Sequence, residues 1–367
     1  MNEKNIFTNL RLGIGPLYEE VMKEAAAYQN RLLKPPGSLG ALESIAVQIA
    51  GITGRLHNRT DRKIHFLFGS DHGVYDEGVS ASPQYFTRVL MDIYANANTS
   101  GARGGINVLC ARAGVVLKVI DMGVKGLAPH PSIDSRFRLM PDGTKNFALE
   151  PAMSRETAME AVYAGMELAA EAKRDGYQII GTGEVGMGNT TPAAACIMAA
   201  LEIDDPDAAV GRGGGLTDEA FGVKKRMVAN ALKKHKPNPS DPLDILSKVG
   251  GLDIAGMTGV FLGAARNRLP VVIDGVISIA AALLASAAAP LSKHYMIPSH
   301  LSREPGYAAA THSLGLNPLL NLDMRLGEGT GCPIAMRIVD DALAVMNSMS
   351  TFDGASLESG YREKLKA

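Results

Sequence analysis

The alternation of short apolar runs with longer helical patterns constrains the fold of this 367-residue chain most strongly. Five runs have the length and composition of buried strands: residues 63–69, 115–121, 178–181, 269–274 and 294–298. Helical patterns lie between them, for example at residues 155–174, 217–233 and 254–266. This alternation predicts an α/β fold with a mostly parallel, Rossmann-like sheet covered by helices on both faces. In such sheets, ligands bind at the carboxyl ends of the strands.

The two ends of the chain carry helical patterns without strands. Two helices are predicted before residue 57, separated by the Pro- and Gly-containing segment 34–40. Another helical pattern begins at Pro333. We therefore predict a small helical domain from residues 1–60 and 333–367. A large α/β domain, residues 61–332, is predicted to hold the active site.

Charge and cysteine content exclude several classes of protein. The chain has 37 basic and 38 acidic residues, so no basic surface for nucleic acid or membrane lipid is predicted. Cys110, Cys196 and Cys332 are too far apart for a disulfide framework or a zinc site. This cysteine usage fits a reducing cytoplasm, and the polar first ten residues lack the apolar core of a signal peptide.

The most apolar part of the chain, residues 271–291, does not have the pattern of a membrane span. It contains Asp274, Gly275 and several Ser and Ala residues. A strand followed by a buried, Ala-rich helix explains its length and polarity better than a transmembrane helix does. No membrane association is therefore predicted.

Residues 325–331, RLGEGTG, place one carboxylate, Glu328, between glycines. Glycines on both sides let the backbone approach a bound molecule closely and adopt positive φ without strain. A carboxylate on such a turn can serve as a general base if a substrate proton lies within hydrogen-bond reach. The alternative is a glycine-rich helix entry in which Glu328 is a first-turn charge favoured by the helix dipole.

A second glycine-rich segment, residues 181–191, follows the third predicted strand. Its G-x-G-x-x-G pattern matches the fingerprint of NAD-binding sites. The glycines, however, continue to Asn-Thr-Thr, and the helix is predicted to begin only near Pro192. A longer loop at a helix N-terminus favours a single phosphate, bound by N–H groups, hydroxyls and the helix dipole. A Thr N-cap with Pro192 at the first helical position is compatible with either ligand.

A third glycine loop, residues 211–219, precedes another helix that Thr217 or Asp218 can cap. Lys224 lies about two turns into that helix, where a basic residue can neutralise a phosphate near the glycine loops. Considered alone, Lys224 has the features of a solvated surface lysine. The sequence favours that simpler interpretation for the residue in isolation.

The remaining polar motifs do not indicate a metal site or a nucleophile. The histidines show no paired ligand spacing, so Asp71 and His72 are expected to brace the loop that carries Ser80, Ser82 and Gln84. No G-x-S-x-G elbow occurs. Carboxylate base catalysis remains, with Glu328 and Glu184 as candidates.

Seven motifs follow one another along most of the chain, from near residue 34 to near residue 336: residues 34–40, 71–74, 183–191, 250–259, 271–275, 298–302 and 325–331. In this order they resemble the motifs of the nicotinate-nucleotide–dimethylbenzimidazole phosphoribosyltransferase family. That family activates the lower ligand of cobamides. The resemblance implies transfer of phosphoribose from nicotinate mononucleotide to an aromatic base such as 5,6-dimethylbenzimidazole. The implied products are α-ribazole 5'-phosphate, for cobamide (vitamin B12) biosynthesis, and nicotinate, with no metal and no cofactor.

The resemblance also implies roles for individual residues. By similarity Glu328 is the general base. The implied phosphate and nucleotide contacts are Glu184, Gly186, Gly188, Asn189, Thr190, Gly213, Gly214, Gly215, Lys224, Ser302, Leu326 and Gly327. The implied acceptor contacts are Ser80, Gln84, Tyr85 and Phe86.

Three alternatives to this function stay open. Some relatives attach phenol or p-cresol through oxygen, in some cases as paired paralogous subunits, so the resemblance implies either a homodimer or a heterodimer with a paralogue. The chain would then transfer phosphoribose to a phenol, or serve as a non-catalytic subunit of such a pair. Retention of Glu328, Glu184, Asn189 and Lys224 favours an enzyme. An NAD-dependent oxidoreductase is the remote alternative.

Overall fold

The computed structural model describes residue 9, residues 11–97 and residues 101–358. Its centre is a six-stranded, fully parallel sheet with the strand order β3-β2-β1-β4-β5-β6. The strands are β1 Lys63–Ser70, β2 Val115–Gly123, β3 Ile133–Asp134, β4 Ile179–Val185, β5 Val271–Ile273 and β6 Met296–Pro298. The predicted α/β fold is confirmed. Strand β3 was not predicted, because two residues are too short to show a pattern.

Twelve α-helices are described in the same part of the chain, together with three short 3-10 segments. The helices are α1 Glu19–Gln29, α2 Ala41–Thr53, α3 Phe86–Ala95, α4 Gly105–Ala113, α5 Arg155–Arg174, α6 Thr190–Leu201, α7 Asp218–His235, α8 Pro242–Val249, α9 Leu252–Arg266, α10 Val276–Ala288, α11 Pro305–Leu314 and α12 Gly331–Ser348. The 3-10 segments are Gly73–Glu77, Pro206–Ala208 and Pro290–Tyr295.

Helices cover both faces of the sheet, and the alternation of side chains along β1 shows why. Phe66 and Phe68 pack into one core, with helices α5 to α11, whereas Leu67 packs into the other, with α2, α4 and α12. Successive side chains of a strand point to opposite faces, so a strand buried on both faces is apolar at nearly every position. This explains why β1 has a continuous apolar run instead of an alternating one.

Local signals define the helix ends well. Helix α5 coincides with the predicted residues 155–174: the Ser154 hydroxyl accepts a hydrogen bond from the Thr157 amide (3.1 Å), and basic residues occupy the last turn. Thr217 caps α7, accepting from the Ala220 amide at 3.3 Å. Helix α6 begins at Thr190, two residues before Pro192, so the proline lies inside its first turn.

The terminal helices lie on the same face of the sheet. Buried residues of α1, α2 and α12 share one core with side chains of the strands, for example Leu67 and Val272. The division into a helical and an α/β domain stays a prediction. Some residues of the predicted helical domain, 1–8, 10 and 359–367, lie outside the described residues. They include most of the polar N-terminal decapeptide.

The apolar residues 271–291 form strand β5 and helix α10, as the sequence predicted, and they end in the start of a 3-10 segment, which was not predicted. Across the described ranges, no helix is long and apolar enough to cross a membrane.

Candidate active site

A cavity of about 250 Å³ opens at the carboxyl ends of the strands, where strand order reverses between β1 and β4. Its walls come from the segments after β1, β4, β5 and β6, from helix α3, from the glycine loop before α7 and from the RLGEGTG loop, residues 325–331. Loops after several parallel strands meet at this edge, which is where such folds bind ligands. The cavity therefore lies where the sheet architecture predicts a site.

Glu328 lies in the cavity wall on a backbone held in the left-handed region. Its φ is 62°, and the flanking Gly327 and Gly329 have φ values of 86° and 76°. A residue other than glycine adopts this conformation only at a cost, and such strained residues concentrate at functional sites. Helix α12 begins at Gly331, so Glu328 precedes the helix and is not a first-turn charge.

Asp274, immediately after β5, anchors this loop. Its Oδ2 accepts a hydrogen bond from the Gly329 amide (3.2 Å), and its Oδ1 accepts one from the Gly331 amide (2.7 Å). Burial raises the pKa of Asp274 to about 7. No role was predicted for Asp274, because its partners lie 55 and 57 residues later in the chain.

The Glu328 carboxylate lies beside helices α3 and α4. Its Oε2 accepts a hydrogen bond from the Ile106 amide (3.2 Å), in the first turn of α4, where the helix dipole favours a negative charge. The Tyr94 side chain from α3 lies beside it, and burial followed by the charge of Glu328 raises the pKa of this phenol. Tyr94 therefore retains its proton and can donate. Sequence reasoning missed Tyr94, which lies outside every motif.

Gly181 and Gly183 belong to strand β4 and not to a ligand loop. A Cβ on Gly183 would lie 2.6 Å from the Glu328 carbonyl oxygen. The strand therefore has a glycine where the RLGEGTG loop crosses it. The resemblance to a dinucleotide fingerprint thus has a packing explanation, because close backbone approach requires the missing side chain.

The same close packing predicts the effect of Gly329→Ala. A methyl group there would overlap the His65 ring beneath the loop and would force alanine to a φ near 76°. We expect the free energy of unfolding to fall by about 2–5 kcal/mol, from overpacking plus left-handed strain. Urea unfolding measures it.

The matched control for this substitution is Gly315→Ala. Gly315 has φ 68° but open space around its Cβ position. Only the backbone strain of roughly 1–2 kcal/mol should remain there. Equal losses in the two variants would contradict a packing role for Gly329.

Lys224 is fully buried, so the expectation of a solvated surface lysine was wrong. Its Nζ donates to Thr190 Oγ1 (2.7 Å) and to the Gly211 carbonyl (2.9 Å). It thereby joins the second and third glycine-rich segments. Burial lowers the pKa of Lys224 to about 8. A buried cation between two glycine loops at a helix N-terminus can bind an anion.

Most of the predicted contact residues line the cavity: Glu184, Gly186, Gly188, Asn189, Thr190, Gly213, Gly214, Ser302, Leu326, Gly327, Glu328 and Ser80. Lys224 lies behind this wall, next to Thr190. Gly215 is not in the cavity lining. The sequence-based prediction did not include Glu304, which accepts a hydrogen bond from the Gly213 amide (2.9 Å), or His300 and Arg325.

Three of the four predicted acceptor contacts do not reach the cavity wall. Gln84 is absent from its lining, and Tyr85 and Phe86 are exposed at the start of α3, with their rings in edge contact at 5.0 Å. The apolar part of the wall comes instead from residues such as Val79, Leu90 and Met187. Tyr85 and Phe86 lie at the start of a helix and not in a loop. The periodicity of α3 turns Leu90 towards the cavity and leaves these two aromatic side chains on the outer side.

Asp71 and His72 lie beneath the site. Asp71 Oδ2 accepts a hydrogen bond from the Lys125 amide (2.8 Å), and His72 Nε2 lies 3.3 Å from Asp253 Oδ2. Within the described ranges, no group of three or more His, Cys, Asp or Glu side chains could hold a metal ion.

The fold and the cavity are those expected of an α/β phosphoribosyltransferase. A family model described as a phosphoribosyltransferase matches residues 14–357. A nicotinate-nucleotide–dimethylbenzimidazole phosphoribosyltransferase from Clostridium tetani is 46% identical in an alignment that covers 94% of this chain and 93% of the relative's sequence. One from Chloroflexus aurantiacus is 44% identical in an alignment that covers 96% of this chain and 97% of the relative's sequence. The crystal structure of CobT from Thermus thermophilus superposes with a TM-score of 0.87 at 38% identity, covering 93% of this chain and all of that one.

The chain therefore belongs to the nicotinate-nucleotide–dimethylbenzimidazole phosphoribosyltransferase family and is a pentosyl-transferring enzyme. This confirms the family indicated by the ordered motifs of the sequence.

Proposed function

We propose that the enzyme moves phosphoribose from nicotinate mononucleotide to 5,6-dimethylbenzimidazole or a related azole, giving α-ribazole 5'-phosphate and nicotinate. The observation that carries the proposal is the Glu328 carboxylate, held on a left-handed backbone in a cavity that also contains glycine loops and a buried lysine behind them. Related proteins named for this reaction match nearly the whole chain.

The chemistry of the transfer needs one base. The leaving group is a pyridinium, which departs as a neutral ring without a proton. The azole attacks C1′ with its lone pair and must lose its N–H proton as the bond forms. Direct displacement inverts the β-linkage to α. Glu328 is the proposed base, and holding both substrates in line supplies much of the acceleration.

The phosphate is proposed to bind where two glycine segments meet. Gly213 and Gly214 line the cavity beside Thr190, and Lys224 Nζ reaches this point from behind. Glu304 already occupies the Gly213 amide, so an incoming phosphate would have to use other donors or displace that carboxylate. Ser302 is the hydroxyl proposed to complete the phosphate contacts.

The acceptor is proposed to bind against the apolar part of the wall. Leu90, Met187 and Leu326 lie there with Ser80, a pattern typical of sites that bind flat aromatic molecules. An apolar wall of this kind also suits a phenol. A phenol would give its proton to the same base and would form its bond to C1′ through oxygen. The enzyme would then work either as a homodimer or as a heterodimer with a paralogue.

Product identity tests the proposal and separates its alternatives. With nicotinate mononucleotide and dimethylbenzimidazole, we expect mass spectrometry to detect ribosylated base together with released nicotinate. Phenol and p-cresol are tested in parallel reactions. Product from phenols but from no azole would place the enzyme in the phenol-accepting branch. No nicotinate release with any acceptor would contradict the transfer and favour a non-catalytic subunit or an oxidoreductase.

A further inference from the structure

A chain of buried polar groups runs from the cavity into the protein. The Asn189 side-chain amide donates one N–H to Glu184 Oε2 and the other to Asp253 Oδ2, the second at 3.3 Å. His72 Nε2 lies 3.3 Å from the same Asp253 oxygen. Asp253 and His72 are buried and take no part in the proposed transfer.

Several titratable groups face Glu184 from the elements packed around it. Asp253 is on α9 and Asp274 follows β5, while Glu328 is on its own loop and Tyr94 is on α3. His72, after β1, is reached through Asp253. The negative charges of Asp253, Asp274 and Glu328 each disfavour ionisation of Glu184.

Glu184 and Asp253 differ in their ion-pair partners. Asp253 has His72 within ion-pair distance, whereas Glu184 makes no ion pair with any residue in the described ranges. Burial, followed by the charge of Asp253, raises the pKa of Glu184 to about 8.

The contacts of Glu184 distinguish its two oxygens. Oε2 accepts the hydrogen bond from Asn189 and would be the carbonyl oxygen of a protonated carboxyl group. Oε1 is turned towards Gly327, where a Cβ would lie 2.8 Å from it, on the side of the cavity next to Glu328. A proton on Oε1 would make Glu184 a donor into the cavity.

We propose that Glu184 works in its neutral, protonated form as a hydrogen-bond donor through Oε1. In this proposal the buried Asp253–His72 pair, acting through the Asn189 amide, is the positioning device that keeps Glu184 neutral. Glu328 then keeps the role of base, and a phosphate or ribose oxygen near Glu184 meets a hydrogen-bond donor instead of a carboxylate. The role in transfer rests on the proposed function; the protonation state does not.

Infrared difference spectroscopy of the full-length protein at about pH 7 tests the protonation state directly. A protonated carboxyl group has a carbonyl stretching band that an ionised carboxylate lacks. Glu184→Gln should remove one such band, and exposed Glu219→Gln should remove none. If Glu184→Gln leaves the protonated-carboxyl region unchanged, Glu184 is ionised and the proposal is overturned.

The positioning role is tested by the pH at which that band titrates. Asp253→Asn keeps a side chain that can accept from Asn189 but removes the charge, so the midpoint should fall by about one pH unit. His72→Gln removes the ion-pair partner of Asp253 and lets Asp253 compete for the proton, so the midpoint for Glu184 should fall as well. A midpoint that stays unchanged in both variants would remove the pair from its role, since a merely structural role would not move it.

The activity profile links the protonation state to the reaction. In the wild-type enzyme, kcat/KM with nicotinate mononucleotide should fall on the basic side as Glu184 ionises, and Asp253→Asn should move that fall to lower pH by the same amount as the infrared midpoint. Should the enzyme transfer no phosphoribose, the infrared result would still decide the state of Glu184. Infrared and kinetic midpoints that move independently would contradict a donor role in transfer.

Discussion

Replacement of Glu328 by glutamine should reduce kcat by roughly 10²–10⁴-fold, the usual contribution of a general base. Glutamine has nearly the same shape and can still accept a hydrogen bond from the Ile106 amide through its carbonyl oxygen. It cannot accept the proton of the attacking base. Nicotinate release under saturating substrates measures kcat, and isothermal titration measures the affinity for nicotinate mononucleotide, which should stay within a few-fold of the wild type.

Two controls separate this result from a change in folding. Glu219→Gln makes the same chemical change at an exposed position of α7 and should leave kcat unaltered. Thermal unfolding of Glu328→Gln should match the wild type, because the loop is held by Asp274 through backbone amides. Turnover close to normal in Glu328→Gln would remove Glu328 from the role of base.

Lys224→Ala should weaken nicotinate mononucleotide binding by roughly 10- to 100-fold, the cost of losing a hydrogen bond from a charged donor. Affinity for the free aromatic acceptor should hardly change, because the acceptor carries no phosphate. Isothermal titration with each ligand in turn gives both affinities.

Lys225→Ala is the matched control for the lysine. Lys225 is the next residue in α7, but its Nζ donates to Asp207 (2.6 Å) and does not reach Thr190. That variant should bind both ligands normally. Because Lys224 also joins Gly211 to Thr190, an equal loss of affinity for both ligands would indicate general disruption of the two loops and contradict a phosphate contact.

Burial limits what could be predicted about these two residues. Glu328 was identified from its flanking glycines, since the conformation that a glycine permits is a local property of the chain. The burial of Lys224 depends on Gly211 and on Thr190, 34 residues away, and no property of the helix that carries it shows that contact. A cation in an amphipathic pattern is normally exposed, so local reasoning gave the wrong environment for Lys224.

The glycine motif of residues 181–186 is a second case in which local sequence reasoning was not sufficient. Its spacing was visible in the sequence, but two of its glycines belong to strand β4: Gly183 makes room for the Glu328 loop, and Gly181 makes room for His65 and Cys332. A pattern shared by two structures cannot separate them until the packing partner is known.

The sequence by itself determined the α/β class, five of the six strands, the boundaries of α5 and the position of Glu328 in a glycine turn. These are consequences of apolar periodicity, capping and glycine conformation, all of which act over a few neighbouring residues. Only the tertiary structure decided that Asp274 anchors the RLGEGTG loop and that Tyr94 faces Glu328. It also decided that Tyr85 and Phe86 do not line the cavity. The reason is that burial and long-range hydrogen bonds join residues far apart in the chain, and the register between such elements leaves no local pattern.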